Sequence, residues 1–336
     1  MFIDQTHEYV IDLTQPEEDR WANVIAAELE NAKRLIDRAA ADLERVPRVA
    51  RWTFGMLYRA FGGLYQGEIK AWAEGLGVSV GTVTMLNCLY ELSHLPTPSQ
   101  IFGCTAGIRW IEGQGLVHVR TLDWPIAGMG EATRLFRFRR GEREFLSVGV
   151  PGQVGILSGM LPRGYSVTIN WAPPAALPTF DYGPTFLLRD VLETCDTFAQ
   201  ATARLRDEVL STSVFFTVCG IGRDEACVIE RTQQGAAVRP LIGPAIVQAN
   251  HHIAPDFAKN NSAILEVPPE EEVFSLDGST KRVNTLLAGL AALPADCLLA
   301  DAAAPLDIPT VLNSQTCQKM VFCPRTGEIK LWRLVN

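Results

Sequence analysis

Cys104, in the stretch Phe102-Gly103-Cys104-Thr105-Ala106-Gly107, is followed sixteen residues later by Arg120 and then by Asp123, both within Leu116 to Trp124. A free thiol has a pKa of about 8.5 and is a poor nucleophile until a base or a cation draws off its proton. Two arrangements would activate it. One is a Cys–His dyad, for which His94 and His118 are nearest in sequence, though neither stands in a recognisable cysteine-protease context. The other is a cut just before Cys104. Its new α-amine, with a pKa of about 8, would then act as the thiol's own general base. Asp123 would orient that amine and Arg120 would stabilise the thiolate. Against both stands packing, because free cysteine is among the most buried residue types.

The elements that must position these residues are a hairpin and the strands after it. Thr105–Ile111 and Leu116–Leu122 read as strands joined by a turn at Glu112–Gly115. Ile111 then pairs with Leu116, which sets Cys104 opposite Asp123 and Gly107 opposite Arg120. Residues of one strand alternate between faces, so this register needs a bulge or fray near Thr121–Trp124 for both side chains to reach the thiol. Pro125 favours an early end to the ladder. Further strands are expected at Arg134–Arg139, Glu144–Val150, Val154–Ser158, Tyr165–Asn170, Val214–Ile221, Ala226–Arg231, Ala236–Pro240, Ala245–Ala249, Gln318–Phe322 and Ile329–Leu334.

The first hundred residues read instead as nearly all helix. Apolar residues recur at helical spacing over Glu17 to Leu43, and helices are expected at Pro47–Tyr65, Gly67–Leu76 and Ser79–Leu92. The 47–65 stretch mixes Arg48, Arg51 and Arg59 with Trp52, Phe54 and Phe61. It reads as a buried helix or as a surface that touches lipid aggregates transiently. Two helices meeting near Asp196 fill Thr185–Val209, and another covers Thr280–Leu293. Strand runs with helical blocks between them give an α+β class, helices stacked on antiparallel sheets.

The chain has 336 residues and a formal charge of −8, which argues against a nucleic-acid partner. No metal site is expected: none of the eight cysteines forms C-x-x-C and the five histidines lack ligand spacing. No cofactor is implied. The N-terminal stretch lacks a basic segment followed by an apolar one, and no apolar run reaches membrane-spanning length, so a soluble, cytoplasmic chain with reduced thiols is expected. Ser158 in GILSG reads as a turn serine rather than a nucleophile elbow. His251 and His252, adjacent in a strand, should point to opposite faces.

Several motifs in order resemble one family. They are YVIDLTQPEEDRW, GEIKAWAEGLGVSVGTVTMLNCLYEL, GCTAGI with GLVHVRTLDW, GILSGMLPRGYSVTIN, CVIERT and VQANHH. Together they are similar to acid ceramidase and N-acylethanolamine acid amidase, within the choloylglycine hydrolase group of N-terminal-nucleophile (Ntn) amidases. The resemblance implies an αββα four-layer sandwich preceded by a helical piece, 1–103. That piece would be split from 104–336 by self-cleavage of Gly103–Cys104 and remain associated with it. Cys104 matches the nucleophile, Arg120 and Asp123 the pair that activates and orients it, Asn250 an oxyanion-hole amide, and Asn170 a second polar group lining the site. Two departures stand out. Trp171 replaces the charged residue of ceramidase-like members. Gly278-Ser279-Thr280-Lys281-Arg282 is closer to the S-x-x-R of acyltransferase and bile-salt-hydrolase relatives, which makes Arg282 a candidate site-facing cation.

The expected activity is hydrolysis of an N-acylated, lipid-like small molecule through a thioester. Trp124, Met129, Met160 and Trp171 are the candidate acyl-binding residues. Transfer of the acyl group to an amine acceptor, choloylglycine- or penicillin-V-type amide hydrolysis, and a non-processing binding protein on the same fold are the alternatives.

Overall fold

The computed structural model describes residues 1–4, 6–43, 64–94, 103–124, 126–264 and 274–335. Most of the expected Pro47–Tyr65 helix, Phe102, Pro125 and part of the acidic loop after Ala254 lie outside these residues. In chain order the strands are β1 (Phe2–Ile3), β2 (Glu8–Asp12), β3 (Gly103–Ile111), β4 (Gly115–Asp123), β5 (Arg134–Arg140), β6 (Arg143–Gly149), β7 (Ser158–Leu161) and β8 (Tyr165–Trp171). They continue with β9 (Val214–Cys219), β10 (Ala226–Thr232), β11 (Gly235–Pro240), β12 (Ala245–Gln248), β13 (Thr316–Cys323) and β14 (Glu328–Leu334). The helices are α1 (Ala22–Leu43), α2 (Gln66–Leu76), α3 (Val80–Asn87), α4 (Leu89–Ser93), α5 (Pro184–Thr194), α6 (Phe198–Asp207) and α7 (Leu276–Ala292).

Two sheets form. A six-stranded sheet runs β1-β14-β13-β4-β3-β12, and an eight-stranded sheet runs β11-β10-β9-β8-β7-β6-β5-β2. Helix α7 and the 3-10 segment Asp301–Asp307 cover the outer face of the first through Leu286, Leu290 and Leu306 against Val117, Val119 and Val321. Helices α5 and α6 cover the outer face of the second, while Met160, Met320 and Phe322 meet between the sheets. These are the four layers of an αββα sandwich. Strands covered on both faces are buried along their whole length, which is why β9 reads as the nearly unbroken apolar run VFFTVC.

The amino-terminal region departs from the all-helical expectation. Strand β1 pairs with β14 and β2 pairs in parallel with β5, so this region supplies one edge strand to each sheet. Both are short, at two and five residues, and so carry little of the alternation that reveals longer strands. Trp21 then packs edge-on against Phe136, with centroids 5.3 Å apart, and so anchors α1 beside β5. The expected helix over Ser79–Leu92 breaks at Cys88 into α3 and α4. The strand expected at Val154–Ser158 instead begins at Ser158.

The expected hairpin register is also off by one residue. Ile111 pairs with Gly115, Ala106 with Arg120, Cys104 with Leu122 and Gly103 with Asp123. Gly115 adopts a left-handed φ of 95° and joins the ladder itself, shortening the turn to three residues. The bulge lies not in β4 but in β13, between Thr316, which pairs with Asp123, and Gln318, which pairs with Leu122.

Candidate active site

The corrected register decides which residues share a face. Cys104 and Arg120 both point between the sheets as diagonal neighbours, and no distortion of β4 is required. Arg120 Nη2 donates to Cys104 Sγ at 3.2 Å, and Nη1 donates to the Leu157 carbonyl at 2.7 Å. Tyr90 of α4 brings its hydroxyl against the same thiol and guanidinium. Asp123 faces the other way, toward α7, opposite Gly103. A Cβ on Gly103 would fall 3.0 Å from Asp123 Cβ and 2.9 Å from the Phe274 ring, so glycine is the residue that fits before the cysteine.

The backbone of Cys104 is held by side chains rather than by a strand. Strand β12 pairs with β3 only from Arg109 to Ala106, and its register, extended past Gln248, brings Asn250 opposite Cys104. Asn250 Oδ1 accepts from the Cys104 N–H at 3.0 Å and from Arg282 Nη2 at 2.8 Å. The Cys104 carbonyl accepts from Arg282 Nη1 at 2.8 Å and Asn170 Nδ2 at 3.2 Å. Arg282 Nη1 also donates to Thr105 Oγ1 at 2.9 Å and lies 3.7 Å from Asp123 Oδ2. Arg282 is fully buried, projecting from α7 onto the junction. Thr316 donates to Asp123 Oδ1 at 2.7 Å.

Contacts at both ends of its side-chain amide orient Asn250. Two donors meet its Oδ1, while its Nδ2 donates to the Trp171 carbonyl at 2.9 Å. That pattern fixes the orientation of the amide. In the intact chain its oxygen holds the junction nitrogen, and Nδ2, which carries two protons, gives one of them to the Trp171 carbonyl.

Electrostatics follow from burial. Burial pushes the Cys104 thiol up; Arg120 and Arg282 pull it down, and Asp123 adds to the rise. Burial likewise raises Asp123 against the pull of Arg282 and Thr316. The imidazoles are not the thiol's base. His118 bonds Ser166 Oγ at 3.0 Å and Thr168 Oγ1 at 3.1 Å, and burial with the nearby Arg120 charge pushes it down to about 3. His94 bonds Thr212 Oγ1 and is also pushed down to about 3 by burial.

Of the four acyl-binding candidates, the structure brings two to a cavity. Trp124 and Met129 line an apolar cleft with Leu35 and Ile36 of α1, Leu86 and Leu89. They also line an adjoining cleft that reaches Ser314, Gln315 and Cys317. Met160 does not belong there. It lies in the inter-sheet core because its alternation on β7 points it at Met320 and Phe322. The Trp171 ring packs on His94, and its Nε1 donates to Ser93 Oγ at 2.9 Å, so only its carbonyl serves the site. Tyr90, Thr105, Thr316 and Ser279 were not singled out by the sequence. Ser279 stands in the S-x-x-R stretch and was the one with a signal; the others needed the fold.

The chain is similar to known proteins. The family described as acyl-coenzyme A:6-aminopenicillanic acid acyl-transferase matches residues 110–287, just over half of the chain. That span contains Arg120, Asp123, Asn170, Asn250 and Arg282 and begins shortly after Cys104. An N-acylethanolamine-hydrolyzing acid amidase of Caenorhabditis elegans is 26% identical over 248 residues, covering 69% of this chain and 70% of that one. A probable acid ceramidase of the same organism is 27% identical over 195 residues, 50% of this chain and 47% of that one. The solved structure of a C. elegans N-acylethanolamine-hydrolyzing acid amidase ortholog superposes with a TM-score of 0.55 at 21% identity, covering 69% of this chain and all of that one. It has the same fold. The two sheets and the helical layers outside them define the Ntn-hydrolase fold. The chain belongs to the acyl-coenzyme A:6-aminopenicillanic acid acyl-transferase family and is similar to acid ceramidase and N-acylethanolamine acid amidase.

Proposed function

We propose that this protein is a self-processing amidase that uses Cys104 as an N-terminal nucleophile on linear amides bearing a long acyl chain. One observation carries the reading: the sulfur, nitrogen and carbonyl oxygen of Cys104 are each engaged by buried side chains. A packing cysteine in a strand needs only a ladder partner for its backbone and apolar neighbours for its sulfur.

In the first step Cys104 Sγ attacks the Gly103 carbonyl carbon. The C–N bond breaks, the Cys104 nitrogen leaves as an amine carrying the thiol's proton, and water hydrolyses the resulting thioester to a Gly103 carboxylate and a free thiol. In turnover the freed α-amine takes the thiol proton, Sγ attacks the substrate amide, the proton passes to the leaving amine, and water resolves the acyl-enzyme. Asn250 holds the nitrogen through both stages, Asp123 faces the junction, and Arg120 favours the thiolate. The apolar cleft beside Trp124 and Met129 takes the acyl chain, and the part lined by Leu35, Ile36, Leu86 and Leu89 comes from the region before the junction. The relatives named for N-acylethanolamines and ceramide point to the same kind of substrate.

The test is Cys104→Ala beside wild type, assayed with fluorogenic long-chain N-acyl amides. Wild type hydrolyses them, and the variant remains a single uncut chain without activity. A variant that is still cut or still hydrolyses the amide overturns the scheme. Acyl transfer is the second reading, favoured by the name of the matching family. An amine acceptor added in competition with water separates the two by the ratio of amide to acid formed.

A further inference from the structure

The motif CVIERT places Glu230 in the middle of β10, and no step of the proposed mechanism uses it. Glu230 is fully buried on the inner face of the eight-stranded sheet. Its carboxylate reaches a segment of the other sheet, the turn after β12 that carries Asn250. Having left the ladder at Gln248, this turn has no strand to satisfy its backbone. Side chains do so instead. The N–H of Asn250 donates to Ser279 Oγ at 2.8 Å, and that of His252 to Asn261 Oδ1 at 2.7 Å. The N–H groups of Ile253 and Ala254 both donate to Glu230 Oε1, at 3.2 and 3.0 Å. His252 Nδ1 lies 3.3 Å from Glu230 Oε2.

Arg239 of β11 completes the arrangement. Its Nε donates to Glu230 Oε1 at 2.6 Å, and its Nη2 donates to Gln248 Oε1. Gln248 Nε2 in turn donates to the His251 carbonyl at 2.7 Å. The Glu230–Arg239 pair thus grips the chain on both sides of Asn250, at Gln248 and His251 through Arg239 and at His252–Ala254 through Glu230. Burial alone would raise the Glu230 carboxyl, but the His252 hydrogen bond and the Arg239 charge outweigh it and hold the group below the usual carboxylate range.

We propose that Glu230 and Arg239 are positioning residues for Asn250, a bracket that sets its amide oxygen against the Cys104 nitrogen. Neither touches the reacting atoms. The inference rests on the reading of Cys104 as the nucleophile only where activity is the readout, so the experiment has two arms.

The first arm needs no activity. Hydrogen–deuterium exchange is followed at the amide of residue 104 and over 245–254 in the Cys104→Ala chain, with and without Glu230→Gln. The bracket predicts that exchange at 104 quickens by about tenfold or more, because its acceptor is no longer held in place. Unchanged exchange overturns the proposal. Arg239→Ala, at a residue partly exposed at the edge of the sheet, supplies a second variant should Glu230→Gln fail to fold. Arg239→Lys, which keeps the cation, should restore most of the protection.

In the second arm, Glu230→Gln in the otherwise wild-type chain slows junction cleavage and lowers kcat by about tenfold or more with KM little changed, as expected when a reacting group is misplaced. A fall in thermal stability with kcat per folded molecule intact shows a merely structural pair and overturns the bracket. If exchange quickens but wild type hydrolyses no amide, the bracket stands and the nucleophile reading fails.

Discussion

At the scale of single residues, Arg120 is the cation whose guanidinium meets the Cys104 sulfur. Burial disfavours the thiolate, and Arg120 is the foremost influence opposing it. Removing that charge raises the thiol pKa. Arg120→Gln should therefore shift the rise of iodoacetamide alkylation to higher pH and lower kcat/KM by roughly 100-fold, the scale of a lost charge-stabilising donor. An unshifted alkylation profile would assign Arg120 to packing. The residue types at this site were legible in the sequence: Cys104, Arg120, Asp123, Asn170, Asn250 and Arg282 all converge. Their individual tasks were not. The sense of Asn250's amide depends on Arg282 and Trp171, which lie 32 and 79 residues from it in the chain. The burial of Arg282 depends on how α7 docks, and its place near a helix N-terminus fits an exposed side chain equally well.

At the scale of elements, the hairpin β3–β4 was visible from its alternation, but its register turned on one glycine. A left-handed Gly115 moves every pair by one residue and exchanges which of Arg120 and Asp123 faces the thiol. The bulge in β13 lay beyond any argument from β4 alone. Helix α4 carries a second consequence. Glu91 is buried, its Oε1 accepts from Ser211 at 2.9 Å, and burial pushes its pKa from 4.5 up to about 7. The folded chain thus binds this proton more tightly than the unfolded chain does. The penalty is fully present above about pH 7 and fades as pH falls toward 4.5, and is on the order of 3 kcal/mol at most. Glu91→Gln should raise the melting temperature at pH 8 and leave it nearly unchanged at pH 4.5. Equal shifts at both pH values would refute this account of α4.

At the scale of the whole molecule, the proposed cut raises the question of how 1–103 would stay with 104–336. Strands β1 and β2 each join a different sheet, and Glu68 of α2 forms a bidentate pair with Arg189 of α5 at 2.5 and 2.6 Å, wholly buried. Trp21 Nε1 and Arg20 Nη1 donate to the same carboxylate. Glu68→Ala leaves Arg189 charged in the interior and should cost about 3–5 kcal/mol, read as a lower denaturation midpoint. Unaltered stability would remove this pair from the account. The α+β class followed from strand runs separated by helical blocks and the four-layer sandwich from the family resemblance, whereas the amino-terminal edge strands were too short to announce themselves. Among the described residues no helix is long and apolar enough to cross a membrane. The central claim is that Cys104 works through both its sulfur and its backbone nitrogen, and the latter is freed only by cleavage. Intact mass with amino-terminal sequencing of the mature wild-type protein tests it most directly. The account predicts two pieces that travel together under native conditions, the larger beginning Cys104-Thr105-Ala106. A single 36.9 kDa chain that nonetheless hydrolyses N-acyl amides would contradict it.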